Sequence, residues 1–404
     1  MRRERIALAR TLCYPSHMHI TDQTLYERVR ARLRSSDPAA VRDASILAER
    51  ARALASAPAE AVTDKEPTPH SPSDDLHDYV SIATYYHPNP DTPDGLPYVS
   101  RDGVLSPDIE RYDRPRWDRT ASAIVTAARG AYFLGDETCA RDAARRLRRW
   151  FVDGESRMNP HLVFAQFNPG ESTGRCYGVI DFSLYLPAVL DHATLLEGID
   201  GGTWTDTDAR ALRDWCGAFY EWLTHDPLAL EEEATRNNHG VYYDRLAAYL
   251  ARYLRDDDAA RAHVERTRER IGSQIAPDGG MPHELRRTCS FGYSLMNTRG
   301  FVELARMGAA LGLELWNHAP DEGGTIPAAV EFMYRHACSR DEWPHQQIEP
   351  IDWRMMCPVL RAANELSGDR YPVEAIAHRL PDGFDAEAFA MIEPMHPFGS
   401  ERSR

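Results

Sequence analysis

The chain has 404 residues, 43% of them hydrophobic and 27% charged, which is the balance of a globular protein with a sizeable core. Its formal net charge of −15 argues against non-specific binding to nucleic acid. We see no stretch of the roughly 18 apolar residues that a membrane span needs. We therefore expect neither a nucleic-acid partner nor a membrane segment.

The cysteines give no sign of a disulfide framework or of a structural zinc site. Their number is odd, their spacing is irregular and no C-x-x-C pair occurs. They are Cys13, Cys139, Cys176, Cys216, Cys289, Cys338 and Cys357. His17 and His19 stand two apart without a supporting carboxylate or cysteine pattern, so we predict neither a metal site nor a cofactor.

Two helices are predicted first, followed by a long irregular segment. Residues 21–35 read as a capped amphipathic helix, and a second, alanine-rich helix runs from Asp37 to about residue 57. Residues 58–115 are dense in Pro, Asp, Gly and Tyr, a composition that forbids long helices and strands. A segment this long inside a compact domain is either disordered or functional. Its interleaved tyrosines favour an ordered, packed loop.

From residue 116 onward the apolar periodicity is helical, and no run of alternating β-branched residues requires a sheet. Helices are predicted over 116–134, 137–152, 181–196, 206–224, 230–254, 257–275, 292–312, 324–338, 352–366 and 383–393. The stretches that start at Ala131 and Ala251 resemble each other as a helix end, an acidic turn and an Arg-rich helix. Repeated helical hairpins imply a solenoid or a closed toroid, unless two surface helices simply share a composition.

A first candidate motif is R-N-N-H-G-V-Y-Y, residues 236–243. It places Asn237, Asn238 and His239 inside a predicted helix, although Asn-Asn-His-Gly is a poor helix former. Local sequence that opposes its own secondary structure is often functional. The alternative is a helix break that carries surface amides.

A second candidate motif, E-L-R-R-T-C-S-F-G-Y, covers residues 284–293. We expect the guanidinium of Arg287 to lower the pKa of Tyr293 and so favour proton transfer. Alternatively, the tyrosine only packs against the arginine stem. The two motifs together contain no nucleophile–base pair and no carboxylate pair. They can neutralise a substrate carboxylate and move a proton beside it.

Several segments in order resemble the alginate lyase superfamily of helical toroid enzymes. The similarity is to the branch of polysaccharide lyase family thirty-eight, and more distantly to family five. The segments are 77–103, M-N-P-H-L-V-F-A-Q-F at 158–167, G-R-C-Y-G-V-I-D at 174–181, R-N-N-H-G-V-Y-Y-D at 236–244, and 274–294. The resemblance implies one all-α domain over 1–404, an (α/α) toroid or incomplete barrel of six or seven helical hairpins. Residues 1–57 would form its N-terminal helices, and 58–115 a loop that lines the cleft.

The resemblance also implies metal-independent β-elimination at a 1,4-linked uronate, without a cofactor. Asn238, His239 and Arg287 would neutralise the carboxylate, and Tyr293 would protonate the departing oxygen. Tyr293 would serve as base too on mannuronate or glucuronate, whereas His239 would be the base on guluronate. The residues implied in substrate binding are Gln166, Arg175, Asn237, Arg286, Tyr85, Tyr86 and His87.

The acidic net charge requires a locally basic cleft if the substrate is an acidic poly- or oligosaccharide. Candidate residues are Arg175, Arg236, Arg245, Arg286, Arg287 and Arg299. The N-terminus lacks the apolar run of a signal peptide, so the chain as written is expected to be cytoplasmic, or periplasmic or secreted if a leader was removed. Two alternatives stay open: a cytoplasmic lyase for a small carboxylate-bearing biosynthetic metabolite, and a toroid that binds acidic glycans without turnover.

Overall fold

The computed structural model describes residues 19–199 and 202–395. This part of the chain contains fourteen α-helices and four short strands. The helices are α1 (Gln23–Arg34), α2 (Pro38–Ala55), α3 (Asp113–Leu134), α4 (Glu137–Leu147), α5 (Val179–Ser183), α6 (Leu186–Glu197), α7 (Asp206–His225), α8 (Pro227–Glu233), α9 (Asn238–Tyr253), α10 (Asp257–Gln274), α11 (Pro282–Leu285), α12 (Ser290–Ala310), α13 (Ile326–Cys338) and α14 (Met356–Ser367). The strands are β1 (Val80–Ile82), β2 (Tyr86–His87), β3 (Val99–Ser100) and β4 (Phe164–Phe167).

Helices that follow each other in sequence pack as hairpins, and the hairpins pack side by side. Helix α3 packs against α4 and α6, and α9 packs against α10, α12 and α7. The α3–α4 and α9–α10 pairs are the two segments that resemble each other in sequence; Asp136 and Asp256 cap their second helices. The predicted all-α toroid is confirmed.

Aromatic side chains fill the core between the hairpins. The rings of Trp117 on α3 and Phe182 on α5 stack at 4.4 Å with an interplanar angle of 4°. Trp215 and Phe219 on α7 extend this stack, with their own centroids 5.1 Å apart. Burial of such large rings supplies much of the stabilisation of a helical core. Helix α9 packs against α5 and α7, two of the helices that carry these rings.

Residues 58–115, called the Pro/Tyr-rich segment below, are ordered. Strand β1 pairs in parallel with β4, and β2 pairs with β3 in an antiparallel arrangement. The buried Tyr79 donates a hydrogen bond from its hydroxyl to Asp181 on α5 at 3.1 Å. The strands within the segment, β1, β2 and β3, are only two or three residues long, as the density of proline and glycine predicts. The segment ends at Asp113, where α3 begins.

Three predicted helices differ from those observed. Residues 230–254 form two helices, α8 and α9, which are separated by the turn 234–237. Residues 181–196 are split after Ser183, because Pro187 has no N–H to donate to that residue's carbonyl. Residues 383–393 contain only a 3₁₀ turn, Ala388–Met391. Helical periodicity continued across all three breaks, so it could not reveal them.

One further expectation needs correction. Within the described residues, the segment Cys176–Glu197 is long and apolar enough to cross a membrane, with a mean hydropathy of 1.3. Its apolar window is completely buried in the protein, which is typical of a core helix. The six described cysteines are free thiols, and Cys13 and His17 lie outside the described residues.

Candidate active site

A cavity of about 290 Å³ lies between the Pro/Tyr-rich segment, the start of α9 and the start of α12. It is lined by most of the predicted site residues: Tyr85, Tyr86, Gln166, Arg175, Asn237, Asn238, His239, Arg287 and Tyr293. The two sequence motifs are therefore brought to one place, although they are about fifty residues apart. Thr84, Asp102, Arg114, Asp118, Tyr177 and Tyr185 also line the cavity.

Two predicted binding residues do not line the cavity. Arg286 is exposed, and its guanidinium donates a hydrogen bond to Nδ1 of His283 at 2.9 Å. His87 is buried within the Pro/Tyr-rich segment, where Nε2 lies 3.1 Å from the carbonyl oxygen of Val104. Arg286 follows α11 and faces solvent, whereas the next residue turns inward. The sequence could not distinguish the two adjacent arginines.

Fewer arginines line the cavity than the sequence predicted. Of the six candidate arginines, only Arg175 and Arg287 line the cavity. Arg245 and Arg299 both pair with the buried Glu303 instead. Arg236 is exposed outside the cavity. Arg114, which the sequence analysis did not single out, lines the cavity and pairs with Asp181 at 3.1 Å.

The first motif starts a helix. Asn237 is the N-cap of α9, and its side-chain oxygen accepts a hydrogen bond from the backbone N–H of His239 at 3.1 Å. Asparagine is among the best N-cap residues because its side chain satisfies a free N–H at the helix start. The expected helix break is present, but Asn238 is only 1% exposed and is not a surface amide. The N-cap points Asn238 and His239 into the cavity.

A buried glutamate holds His239. Nδ1 of His239 lies 2.7 Å from Oε1 of Glu232, which belongs to α8 and is fully buried. Burial raises the pKa of Glu232, and the adjacent imidazole opposes that rise. The ring of Tyr177 meets the imidazole edge-on with the centroids 4.8 Å apart. The imidazole is therefore fixed on two sides. Glu232 could not be identified from the sequence because it stands in an acidic run, E-E-E, that looks like a solvated surface.

A second buried glutamate holds Asn238. The backbone N–H of Asn238 donates to one oxygen of Glu284 at 2.9 Å, and Nδ2 donates to the other at 2.7 Å. Glu284 is 1% exposed, and burial raises its pKa while the Asn238 donors oppose the rise. The side-chain oxygen of Asn238 has no hydrogen-bond partner among the described residues. Glu284 fixes the amide in one orientation beside the cavity.

Tyr293 lies on the first turn of α12 and is 6% exposed. Its hydroxyl oxygen is 2.6 Å from that of Tyr85, and the Arg287 guanidinium carbon is 3.8 Å from its ring centroid. Burial raises the pKa of Tyr293 well above its usual value, Tyr85 adds to the rise, and Arg287 only partly opposes it. The sequence expectation that Arg287 lowers this pKa is therefore wrong in its net direction. The phenol is protonated at neutral pH.

The two cavity-lining arginines of the predicted set differ in their partners. Arg287 donates two hydrogen bonds to one oxygen of Asp102, at 3.0 and 2.6 Å. The guanidinium of Arg175 lies between two tyrosine rings, 4.7 Å from the centroid of Tyr86 and 4.8 Å from that of Tyr177. Within the described part of the chain, Arg175 has no ion-pair partner, so its charge is available to an anion.

A polar network lies at the Gln166 side of the cavity. Gln166 has a φ of 48°, in the left-handed region, and its side chain donates to Asp181 at 2.9 Å. Such backbone strain persists only where the surroundings hold it, and it is common at ligand sites. Burial raises the pKa of Asp118 to about 7, with Arg114 opposing and Asp181 reinforcing the rise. Asp118 is thus a carboxyl group that titrates near neutral pH.

The arrangement presents an amide, an imidazole, a guanidinium and a protonated phenol to one cavity. These groups can hold a carboxylate, stabilise negative charge beside it and exchange protons with a bound ligand. Among the described residues, no group of three or more His, Cys, Asp or Glu side chains is placed to hold a metal ion. The supporting carboxylates of Glu232, Glu284 and Asp102 each bind one of these groups instead.

Comparisons with known proteins show the family and the fold of the chain. A family model described as alginate lyase matches residues 61–343. The structure of an alginate lyase from Bacteroides ovatus is 30% identical over 93% of this chain and 98% of that chain, with a TM-score of 0.84. Alginate lyase A1-III from Sphingomonas species A1 shares the fold at 17% identity, over 93% of this chain and 97% of that chain, with a TM-score of 0.53. A variant of A1-III complexed with a tetrasaccharide gives a TM-score of 0.54 at 16% identity, over 93% of this chain and 97% of that one. Curated proteins gave no significant match.

Proposed function

The chain belongs to the alginate lyase family and is a polysaccharide lyase, and we propose that it cleaves a 1,4-linked uronate by metal-independent β-elimination. The observation that carries this proposal is the convergence of Asn238, His239, Arg287 and Tyr293 on one cavity. They come from two motifs on different helices, and each is held by a partner on another element. An acidic oligosaccharide is the substrate class that such a cavity suits.

The reaction removes the proton on C5, beside the carboxylate, and breaks the bond between C4 and the glycosidic oxygen. A double bond forms between C4 and C5, and the departing oxygen takes a proton, so no water is consumed. The barrier lies in building negative charge next to a carboxylate that is already negative. Fixed donors that face this charge supply most of the stabilisation in such sites.

We propose that Arg175 and Asn238 bind the carboxylate of the substrate. Arg175 is the cavity-lining guanidinium of the predicted set without an ion-pair partner in the described chain, and Nδ2 of Asn238 retains a second N–H beyond its bond to Glu284. Arg287 is already paired with Asp102 and lies on the ring of Tyr293. It therefore acts on the phenol and on the charge that develops near it, rather than as the main carboxylate ligand.

Tyr293 is the acid in this proposal. Its raised pKa keeps the phenol protonated until the departing oxygen needs the proton. His239 has the environment of a base: its Nδ1 faces the Glu232 carboxylate, which favours the tautomer with the proton on Nδ1 and a free lone pair on Nε2. On guluronate, where the C5 proton and the C4 oxygen lie on opposite faces, His239 and Tyr293 share the two roles. On mannuronate or glucuronate, where both lie on one face, Tyr293 would take both roles, and it would then have to enter the reaction as the phenolate, against its raised pKa.

The experiment is a substrate panel of polymannuronate, polyguluronate and glucuronan, followed by absorbance of the new double bond and by product mass. An elimination product is lighter than the corresponding hydrolysis product by one water, so the mass identifies the reaction. The absence of product from every uronate across the pH range would contradict the proposal. Binding without product would indicate the non-catalytic alternative, and activity restricted to a small carboxylate would indicate a biosynthetic lyase.

A further inference from the structure

The site uses only the first half of the motif R-N-N-H-G-V-Y-Y-D, residues 236–244. Gly240 and Asp244 do not line the cavity. Both contact the same side chain, Arg270 of helix α10, from the side of α9 that faces away from the cavity. Arg270 is 8% exposed and also lies outside the cavity lining.

Arg270 binds the turn that carries the site residues. Its Nη1 donates to the carbonyl oxygen of Thr235 at 2.7 Å, and its Nη2 donates to that of Glu233 at 2.5 Å. Glu233 ends helix α8, and Thr235 lies in the turn that leads to Asn237. The last carbonyls of a helix have no partner within the helix, so a guanidinium that binds them fixes how the chain leaves α8.

Asp244 holds Arg270 in place. Nε of Arg270 donates to the Asp244 carboxylate at 2.6 Å, and Asp244 is fully buried on α9. One guanidinium thus connects the end of α8, the turn and the body of α9. These are the elements that carry Glu232, Asn238 and His239. Glu232 and His239 lie on opposite sides of the turn, so this connection spans the segment that separates them.

Gly240 gives Arg270 access to the turn. A Cβ atom at residue 240 would lie 2.2 Å from Nη1 of Arg270 and 2.4 Å from the Thr235 carbonyl oxygen. Only glycine lets the guanidinium pass this close to the first turn of α9. The poor helix-forming Asn-Asn-His-Gly sequence therefore ends in a glycine for a reason that is separate from the cavity.

We propose that Arg270 is a positioning residue for the lyase reaction: by binding the Glu233 and Thr235 carbonyls and Asp244, it sets His239 against Glu232 and Asn238 against Glu284. It touches neither the cavity nor a substrate. The inference rests on the proposed function for its kinetic consequence, whereas its structural consequence, a fixed turn over residues 233–237, does not depend on turnover.

Arg266 provides a matched control. It also lies on α10 and also donates to Asp244, with Nε at 2.9 Å, but its other ion-pair partner is the side chain of Glu233 rather than a backbone carbonyl. Replacing Arg266 by Gln therefore weakens the same charge cluster without removing a bond to the turn. Replacing Arg270 by Lys keeps the charge but cannot bind both carbonyls and Asp244 at once.

The experiment measures kcat and KM on the best uronate substrate, together with amide hydrogen exchange over residues 233–241. For Arg270→Lys we expect kcat to fall about tenfold to a hundredfold, since small misplacements of reacting groups have that effect, with KM within about twofold. Exchange over the turn should accelerate. Arg266→Gln should change kcat and the exchange rate far less than Arg270→Lys does, although the two variants lose a similar amount of thermal stability. Gly240→Ala should have the same effect on kcat and on exchange, because its methyl group would displace the Arg270 guanidinium. This variant replaces Arg270→Lys in the test if Arg270→Lys does not fold.

Three results would overturn the inference. Arg270→Lys could retain both kcat and wild-type exchange, or Arg266→Gln could lose kcat in parallel with it as both lose thermal stability. Gly240→Ala could leave exchange over the turn unchanged. A wild-type protein that produces no elimination product from any uronate contradicts the proposed function, and hydrogen exchange alone then tests the positioning role of Arg270.

Discussion

The hydroxyl oxygens of Tyr85 and Tyr293 lie 2.6 Å apart, and this contact joins the Pro/Tyr-rich segment to helix α12 inside the cavity. A second connection runs beside it, because Asp102 of the same segment accepts hydrogen bonds from Arg287 and from the backbone N–H of Thr288. The segment therefore supplies part of the site and determines the surroundings of the phenol.

Replacing Tyr293 by Phe removes the proposed proton donor and nothing else of the side chain. We expect kcat to fall by about 10²- to 10⁴-fold, the usual contribution of a positioned acid. Circular dichroism should be unchanged, because the ring still fills its site. Tyr85→Phe is the matched control and should lose less, since in the proposed mechanism Tyr85 only hydrogen-bonds to the acid and donates no proton to the departing oxygen. Equal losses in the two variants would place the acid at Tyr85.

Replacing Arg287 by Lys should lower kcat/KM by about tenfold or more. A lysine cannot reproduce the two hydrogen bonds to Asp102 together with planar contact on the Tyr293 ring. Arg286→Lys, at the exposed neighbouring position, should leave kcat/KM unchanged. Steady-state kinetics of the two variants on one substrate test the assignment. A loss confined to Arg286→Lys would contradict the placement of the two side chains.

Replacing Asn238 by Asp should abolish activity and destabilise the fold. The new carboxylate would stand 2.7 Å from Glu284 in place of a donor, and it would repel an anionic substrate. We expect the free energy of unfolding to fall by about 1–3 kcal/mol, the cost of leaving buried polar groups unpaired. Asn237→Asp should change it little, because aspartate is an equally good N-cap. Denaturant unfolding of the two variants makes the comparison.

The KM for an anionic substrate should fall as the pH drops from about 8 to about 6. Asp118 lines the cavity with its pKa raised to about 7, mainly by burial, so it takes up a proton over this range and the cavity loses a negative charge. The uronate carboxylate stays ionised throughout. Asp118→Asn should remove the pH dependence of KM.

Asp118 should also make the protein less stable as the pH rises. Because its folded-state pKa is raised, the contribution of Asp118 to stability is complete below its ordinary value of 3.8 and is lost as the pH rises through about 7. Asp118→Asn should therefore flatten the change of unfolding free energy over that interval. If the unfolding free energy, or the KM, depends on pH equally in the wild type and in Asp118→Asn, the titration belongs to another group.

Treatment with a chelator should leave the rate unchanged, and added divalent cations should not increase it. In the proposed site Arg175 and Asn238 neutralise the substrate carboxylate, so the reaction has no need of a metal ion. The measurement compares initial rates before and after chelation and dialysis. A rate that falls on chelation and returns with one cation would contradict the metal-independent reaction proposed above.

The sequence predicted which residues come together in the site, but not the buried glutamates that hold them. Asn238 and Tyr293 could be paired in advance because both motifs occur in the order of the family that the sequence resembles, although Asn238 was expected inside a helix over 230–254 and in fact begins α9. Glu232 and Glu284 could not be identified, because a glutamate in a polar stretch looks solvated until tertiary packing buries it. The pKa of Tyr293 was predicted in the wrong direction for the same reason, because the sequence shows its charged neighbour Arg287 but not its burial.

The remaining errors concern where helices end. The apolar periodicity continues across Pro187, although α5 and α6 are separate helices. It also continues across the turn at 234–237, where the packing of α8, α9 and Arg270 shows that the chain turns. At residues 383–393 the apolar spacing was helical, yet the chain forms only a short 3₁₀ turn. Helix propensity alone decides little over such short segments, where tertiary contacts prevail.

The two buried glutamates carry a lesson for enzyme engineering. Transplanting the octapeptide of the first motif onto another helical scaffold would transfer the amide and the imidazole but leave behind Glu232 and Glu284, which belong to the preceding helix and to α11. In such a chimera both side chains would rotate freely and the imidazole would lose its preferred tautomer. A workable transplant would have to include three separate stretches of chain, and the two acidic ones are those that sequence inspection would discard first.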